Sequence, residues 1–256
     1  MVRSQYNTLI LVEGNVLEKN IFNRLAELVK QEDSVLVLPI CCNIYALYNQ
    51  IKEEKRRGAE TTTKGLLLTS KSTEISNSDK ELLRTTKIVR TYLVFDLDLQ
   101  DSGKTITEKM NIVKVMISMF NDETDDLGKI FINYPMMESI RHLDFDNPIS
   151  LKDKKIHSAE FTKYKEVVGK EGTQKKSYSL SDFFKIAKAH CMKANFILNG
   201  KFEKPSDYNK ISADDIHKKQ HASIDKNGCV SVVNCSSLLY FELHPSKEKI
   251  FKAQWA

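Results

Sequence analysis

The sequence predicts an α/β fold with a mostly parallel sheet flanked by helices, followed by a basic, mainly helical C-terminal region. Short, strongly apolar runs alternate with segments whose apolar residues recur at helical spacing through about residue 145. Those runs carry apolar residues at consecutive positions, as strands do when helices cover both faces of a parallel sheet. From about residue 146 onward, lysine-rich and helical stretches replace the strand-like runs.

Asn7 to Val12 is the first strand, ended by Glu13-Gly14, and Val16 to Lys30 follows as a helix with Leu17, Ile21, Phe22, Leu25 and Leu28 on its apolar side. Ser34 to Ile40 is a second strand. Asn43 to Lys55 is a second helix, with Ile44, Leu47, Tyr48 and Ile51 on one face. Residues 56–86 are rich in Thr, Ser and Lys and read as an irregular insertion, with a short helix near Lys80 to Leu83. Order returns with the strand Ile88 to Phe95, the helix Thr107 to Phe120 and the strand Lys129 to Tyr134; Pro135 then marks a helix start. Beyond residue 151, Leu180 to Leu198 reads as helix, while Val230 to Leu243 suits either helix or strand. The expected division is an α/β domain over 1–145 and a basic C-terminal region over 146–256.

With 256 residues, 41% hydrophobic and 29% charged, the chain can bury a sizeable core without disulfides or a structural metal. No stretch approaches the roughly 20 apolar residues that cross a bilayer. The N-terminal residues lack a secretory apolar segment, so the expected location is the cytoplasm. Five cysteines without C-x-x-C spacing read as buried thiols. Charge is divided unevenly. Residues 1–150 hold 19 Lys/Arg against 22 Asp/Glu, and residues 151–256 hold 20 against 12. That division gives an acidic part that could hold cations and a basic part that could hold a polyanion.

The central observation is four acids at strand ends: Glu13 after the first strand, Asp96 and Asp98 after the third, and Glu138 one helical turn beyond the fourth. Ligands of such sheets bind beyond the carboxyl ends of the strands. Clustered carboxylates repel one another unless a cation neutralises them. Magnesium, or manganese, suits oxygen donors of this kind and is commonly held by one or two carboxylates plus substrate phosphate. In D-x-D the two acids stand two positions apart and so share a side, and the alternative is that Asp96 and Asp98 are helix-capping and loop acids.

Glu13-Gly14-Asn15-Val16-Leu17-Glu18-Lys19-Asn20-Ile21-Phe22 resembles the E-G-x-x-[ST]-E-x-x-[YF]-F segment of RloB-like proteins of the Toprim superfamily. Phe95-Asp96-Leu97-Asp98 and Asn133-Tyr134-Pro135-Met136-Met137-Glu138 are similar to that family's second and third motifs, in the same order. The resemblance spans about residues 7–145. It implies a Toprim fold and metal-dependent hydrolysis of nucleic-acid phosphodiesters, in RNA such as transfer RNA or in DNA. Glu13 would move a proton or share the metal, Asp96 and Asp98 would hold it, and Glu138 would complete the catalytic set. It also implies a toxic effector of antiviral defence and abortive infection, as in PARIS-type and overcoming-lysogenization-defect relatives, working beside an ABC-type ATPase; a homodimer is a further arrangement to expect. Leu17 stands where the family has Thr or Ser, and Gln100 replaces the third acid of the topoisomerase form.

Other patterns compete. Asp101-Ser102-Gly103-Lys104-Thr105 ends like a P-loop, but Asp98 occupies its upstream Gly position and would repel phosphate. Leu93 to Asp98 could be the nucleophile motif of haloacid-dehalogenase-like phosphatases, with Asp96 attacking phosphorus; Leu99-Gln100 replaces the usual Gly-Thr. A non-catalytic nucleic-acid-binding subunit is the third alternative. Asn121 to Asp126 reads as a solvated helix end, and His217 and His221 share a helix face without a third ligand. His142, one turn beyond Glu138, could line the site or simply pair with Glu138. Phe161 and Tyr164 interleave with lysines in a pattern that suits either a solvated lysine-rich surface or stacking along a backbone track, whose contacts would be Lys104, Lys163, Lys165, Lys175 and Lys176.

Overall fold

The computed structural model describes residues 6–29, 34–58, 62–69, 75–100, 103–172, 175, 177–244 and 250–252. Lys176 and residues 101–102 of the P-loop-like segment lie outside the described residues. In chain order the elements are β1 (Tyr6–Val12), α1 (Leu17–Val29), β2 (Ser34–Pro39), α2 (Ile44–Arg56), α3 (Thr63–Thr69), α4 (Asn77–Thr85), β3 (Arg90–Asp96), α5 (Ile106–Met119), β4 (Asn121–Asp122) and β5 (Gly128–Asn133). They continue as β6 (Lys155–His157), α6 (Tyr164–Glu171), α7 (Leu180–Asn199), α8 (Ala213–Asn227), β7 (Cys229–Ser231) and α9 (Leu239–Glu242), with short 3-10 helices between.

The chain is α/β, with a central, mostly parallel five-stranded sheet in the order β2-β1-β3-β5-β4. β1 runs parallel to both β2 and β3, Val12 standing opposite Pro39 on one side and Val94 on the other. β4 pairs antiparallel to β5 at the edge. Strand order reverses between β1 and β3, the kind of switch beyond whose carboxyl ends ligands bind in open α/β sheets.

Two compact units share the chain, Met1–Phe95 with Thr107–Phe131, and Asp96–Ile106 with Ile132–Ala256. The sequence places the boundary near residue 145; in the structure the chain passes between the units after Phe95, after Ile106 and finally after Phe131, within β5.

In the first unit, Leu9, Ile10, Leu11 and Val12 are all buried, as are Tyr92 through Phe95. Burial on both strand faces explains the unbroken apolar runs. α1 turns Ile21, Phe22 and Leu25 into the core, and α2 starts where Asn43 Oδ1 accepts a hydrogen bond from Ala46 N at 2.9 Å. The expected irregular insertion is corrected: 56–86 holds two helices, α3 and α4, of which α4 contains the short helix expected near Lys80 to Leu83. Leu66, Leu67 and Leu83 anchor them, and Ser76 caps α4 through Asp79 N. Thr- and Ser-rich flanks diluted the apolar signal of these short helices. Asn121 to Asp126 is likewise not a helix end. Asn121 and Asp122 form β4, and Asp122 Oδ1 accepts from Thr124 N at 2.8 Å in the following turn.

In the second unit, β6 and β7 form an antiparallel pair, and Tyr134 bridges to Val233. α7 matches the expected helix. It opens with a Ser179–Asp182 capping box and closes on Gly200, whose φ of 74° favours glycine. Past Pro135 the expected helix is only a 3-10 helix, Met137–His142. Val230 to Leu243 divides into β7, the 3-10 helix Cys235–Leu238 and α9, because Asn234 breaks the apolar run and caps that 3-10 helix.

Two long polar side chains buried in this unit, Lys193 and Gln220, are paired. Lys193 donates from Nζ to the carbonyls of Lys152 and Lys154, and burial pushes its ammonium down to about 7. Gln220 on α8 accepts from Ser231 N and donates to Ser231 O, both at 2.8 Å. Gln220→Met keeps the volume but orphans a buried N–H and a buried C=O, at about 1–3 kcal/mol each. Urea unfolding of that variant should show a loss of about 2–6 kcal/mol; an unchanged midpoint would contradict the pairing.

Candidate functional site

Asp96 is the last residue of β3, and it is half-buried. Its Oδ1 accepts from Asn133 Nδ2 at 3.2 Å, and Asn133 ends β5. The chain just beyond is pinned too: Leu97 N donates to Asn133 O at 3.0 Å and to Pro135 O at 3.1 Å. Asp98 adopts a φ of 26°, and its Oδ1 accepts from Gln100 N at 3.1 Å. Asp is one of the few L-residues that occupy such positive φ, since its short side chain bonds its own backbone. One Asp98 oxygen therefore shapes the loop.

Glu138 lies on the 3-10 helix after β5, with its side chain 13% exposed and Lys165 Nζ at 3.1 Å. Tyr164, at the start of α6, is fully buried near these acids. Burial first, then the charges of Glu138 and Asp96, hold its phenol well above the usual range. Tyr164 therefore stays a protonated phenol beside the acids. Its hydroxyl is 3.0 Å from His142 Nδ1, with the rings edge to face at 5.2 Å. Burial pushes His142 down to about 4, with Lys154 adding to the effect and Glu171 opposing it. An open cavity of about 300 Å³ lies beside His142, with Lys154, Glu171 and Ser150 in its wall.

Within the second unit the structure thus groups Asp96 and Glu138 about Tyr164. Tyr164 was absent from the expected acid set. Phe161 and Tyr164 had suggested base stacking; that expectation is corrected, because both rings are core. Of the expected phosphate contacts, Lys163 is exposed, Lys104 is half-exposed and Lys165 is exposed beside Glu138. Lys175 pairs with Asp182 at 2.6 Å and lies over the Phe145 ring at 4.5 Å. His217 is buried with Nδ1 3.1 Å from Tyr134 OH, and His221 Nε2 is 3.8 Å from Asp225.

Glu13 belongs to the first unit. Its backbone carbonyl accepts from Cys41 N at 3.1 Å, and its charge, after burial, helps push the Cys42 thiol up to about 12. The Glu18 carboxylate folds against Gly14 so closely that a β-carbon there would collide with it. This contact brings in a second acid, Glu18, that the expected site omitted.

Compared with family models, curated proteins and solved structures, the chain matches none.

Among the described residues, no group of three or more His, Cys, Asp or Glu could hold a metal ion. Asp96 and Glu138 supply oxygen donors alone. That donor set suits magnesium or manganese, which take one or two carboxylates and complete their shell with water and phosphate, and it does not suit a structural zinc. No helix among the described residues is long and apolar enough to cross a membrane.

Proposed function

We propose that the chain is a magnesium- or manganese-dependent nuclease that hydrolyses nucleic-acid phosphodiesters. The observation that carries this reading is Asp96. It is a half-buried carboxylate at the carboxyl end of a central parallel strand, oriented by Asn133 and near Glu138. Asp96 and Glu138 would hold the ion; the Toprim resemblance adds Asp98 as a ligand and assigns proton transfer to Glu13, in the first unit. The ion, when bound, would stabilise charge on the scissile phosphate and lower the pKa of an attacking water. Lys163 and Lys104 would meet the polyanion backbone. The RloB-like resemblance further supports a toxic defence effector restrained by an ABC-type ATPase partner.

Incubation with plasmid DNA and with total transfer RNA, in magnesium and then in a chelator, tests the reading. Magnesium-dependent cleavage of one polymer, lost in chelator, is the expected result. Release of phosphate from a phosphomonoester with both polymers intact would instead assign Asp96 the nucleophile's role of a phosphatase.

A further inference from the structure

The second unit buries a chain of polar side chains: Asn133, Ser139, Asn234 and Ser236 are each 0% exposed. Such groups cost stability unless every donor and acceptor is satisfied, and an apolar core would do the packing as well. Their bonds converge on the candidate acids. Asn234 Oδ1 accepts from Ser237 N at 2.8 Å and from Ser236 Oγ at 3.0 Å, which fixes the amide's orientation. Its Nδ2 then donates to Met137 O and to Ser139 Oγ, both at 3.1 Å. Met137 and Ser139 are the two neighbours of Glu138 in the chain. On the other side, Ser236 N donates to Asn133 Oδ1 at 3.1 Å, and this leaves Asn133 Nδ2 to donate to Asp96. The turn itself is tied to α7, because Asn234 N donates to His190 Nδ1 at 3.0 Å. A turn needing only a cap would use the Asn234 oxygen and no more, as a serine could. The amide nitrogen reaches instead to both sides of Glu138.

We propose that the turn Asn234–Ser237 is the positioning device of the acid site, setting Asp96 through Asn133 and setting the backbone that carries Glu138 through Asn234. Asn133 and Asn234 are then positioning residues. The inference rests on the carboxylate reading above. It adds that the site is completed by a segment about 100 residues further along the chain than Asn133.

The full-length chain is compared with Asn133→Ala, Asn234→Ser and Gln220→Met. Steady-state cleavage and direct Mn²⁺ binding by calorimetry or electron paramagnetic resonance are measured on each. Loss of an outer-shell partner typically costs roughly 10–100-fold in metal affinity or activity. Asn133→Ala and Asn234→Ser should therefore lose about that much kcat with little change in KM, and weaken Mn²⁺ binding by at least about 10-fold. Asn234→Ser keeps a cap oxygen and serves if Asn133→Ala fails to fold. Gln220→Met, destabilised elsewhere in the same unit, should keep both kcat and Mn²⁺ affinity. Wild-type kcat and Mn²⁺ affinity in the asparagine variants would overturn the inference, as would equal losses in Gln220→Met. Asp96→Asn separates the two levels. Full cleavage by that variant sinks the carboxylate reading itself, whereas an inactive Asp96→Asn beside wild-type Asn133→Ala sinks only the positioning role. If the wild type cuts neither polymer, Mn²⁺ affinity alone decides the positioning role.

Discussion

Asp96→Asn should abolish magnesium-dependent cleavage, by more than roughly 100-fold, since even an outer-shell partner of a metal ligand is worth up to that much. The change preserves shape and removes one negative charge from the group around Tyr164, where Glu138 also contributes. Relief of that repulsion predicts a melting temperature at or above the wild-type value. Glu13→Gln should lose activity in the same way, because the resemblance places proton transfer on that carboxylate. Its fold should persist: Glu13 is held to Cys41 through its main-chain carbonyl, which the substitution leaves in place. Cleavage assays alongside thermal melts check both. Full activity in either variant would remove the assignment of that acid, and activity lost together with the melting transition would show only that the fold had failed.

Stability should fall steeply as pH drops below about 6.5, the ordinary histidine value. Burial is the largest cause of both relevant shifts: it pushes His142 down to about 4 and His190 down to about 3. His142 faces Tyr164, Lys154 and Glu171, and His190 faces the Asn234 amide, Lys193 and His142. Both histidines have a folded-state pKa below the unfolded one. Above about pH 6.5 they are neutral in either state and add no pH dependence. Below it the unfolded chain binds protons that the folded chain refuses, so folding loses roughly 1.4 kcal/mol per pH unit for each histidine. The loss continues to about pH 4 for His142 and about pH 3 for His190. Between about pH 6.5 and 4 the two together remove about 6 kcal/mol, comparable with the whole stability of many domains. Urea midpoints measured at about pH 7.5, 6 and 5 should fall in step, and His190→Leu should flatten the slope even while lowering the midpoint at about pH 7.5. A midpoint unchanged across that range would contradict this burial of the two rings.

The alternation of strands and helices was legible because each element's cause is local. Val12 or Val94 can be read as a buried strand position from its immediate neighbours, and α7 can be bounded from Ser179, Asp182 and Gly200 alone. The D-x-D at a strand end was legible for the same reason. Composition misled where it averaged over a window: residues 56–86 read as polar although Leu66, Leu67 and Leu83 anchor two helices. Pattern also misled at Phe161 and Tyr164. Interleaving with lysines looks the same whether a ring meets solvent or core, and only packing separates the cases.

The sequence alone determined the α/β class, the order of the strands along the chain, and the presence of acids where strands end. Only the tertiary structure decided which groups those acids meet. Asp96 meets Asn133 across 37 residues, Asn133 meets Ser236 across 103, and Tyr164 meets His142 across 22. Helical and strand periodicity is set by residues a few positions apart, so it can be read along the chain. A hydrogen bond between distant residues depends on where the chain returns after folding, which no local pattern encodes. The same return buries His142 and His190, and their expected acid sensitivity is its consequence.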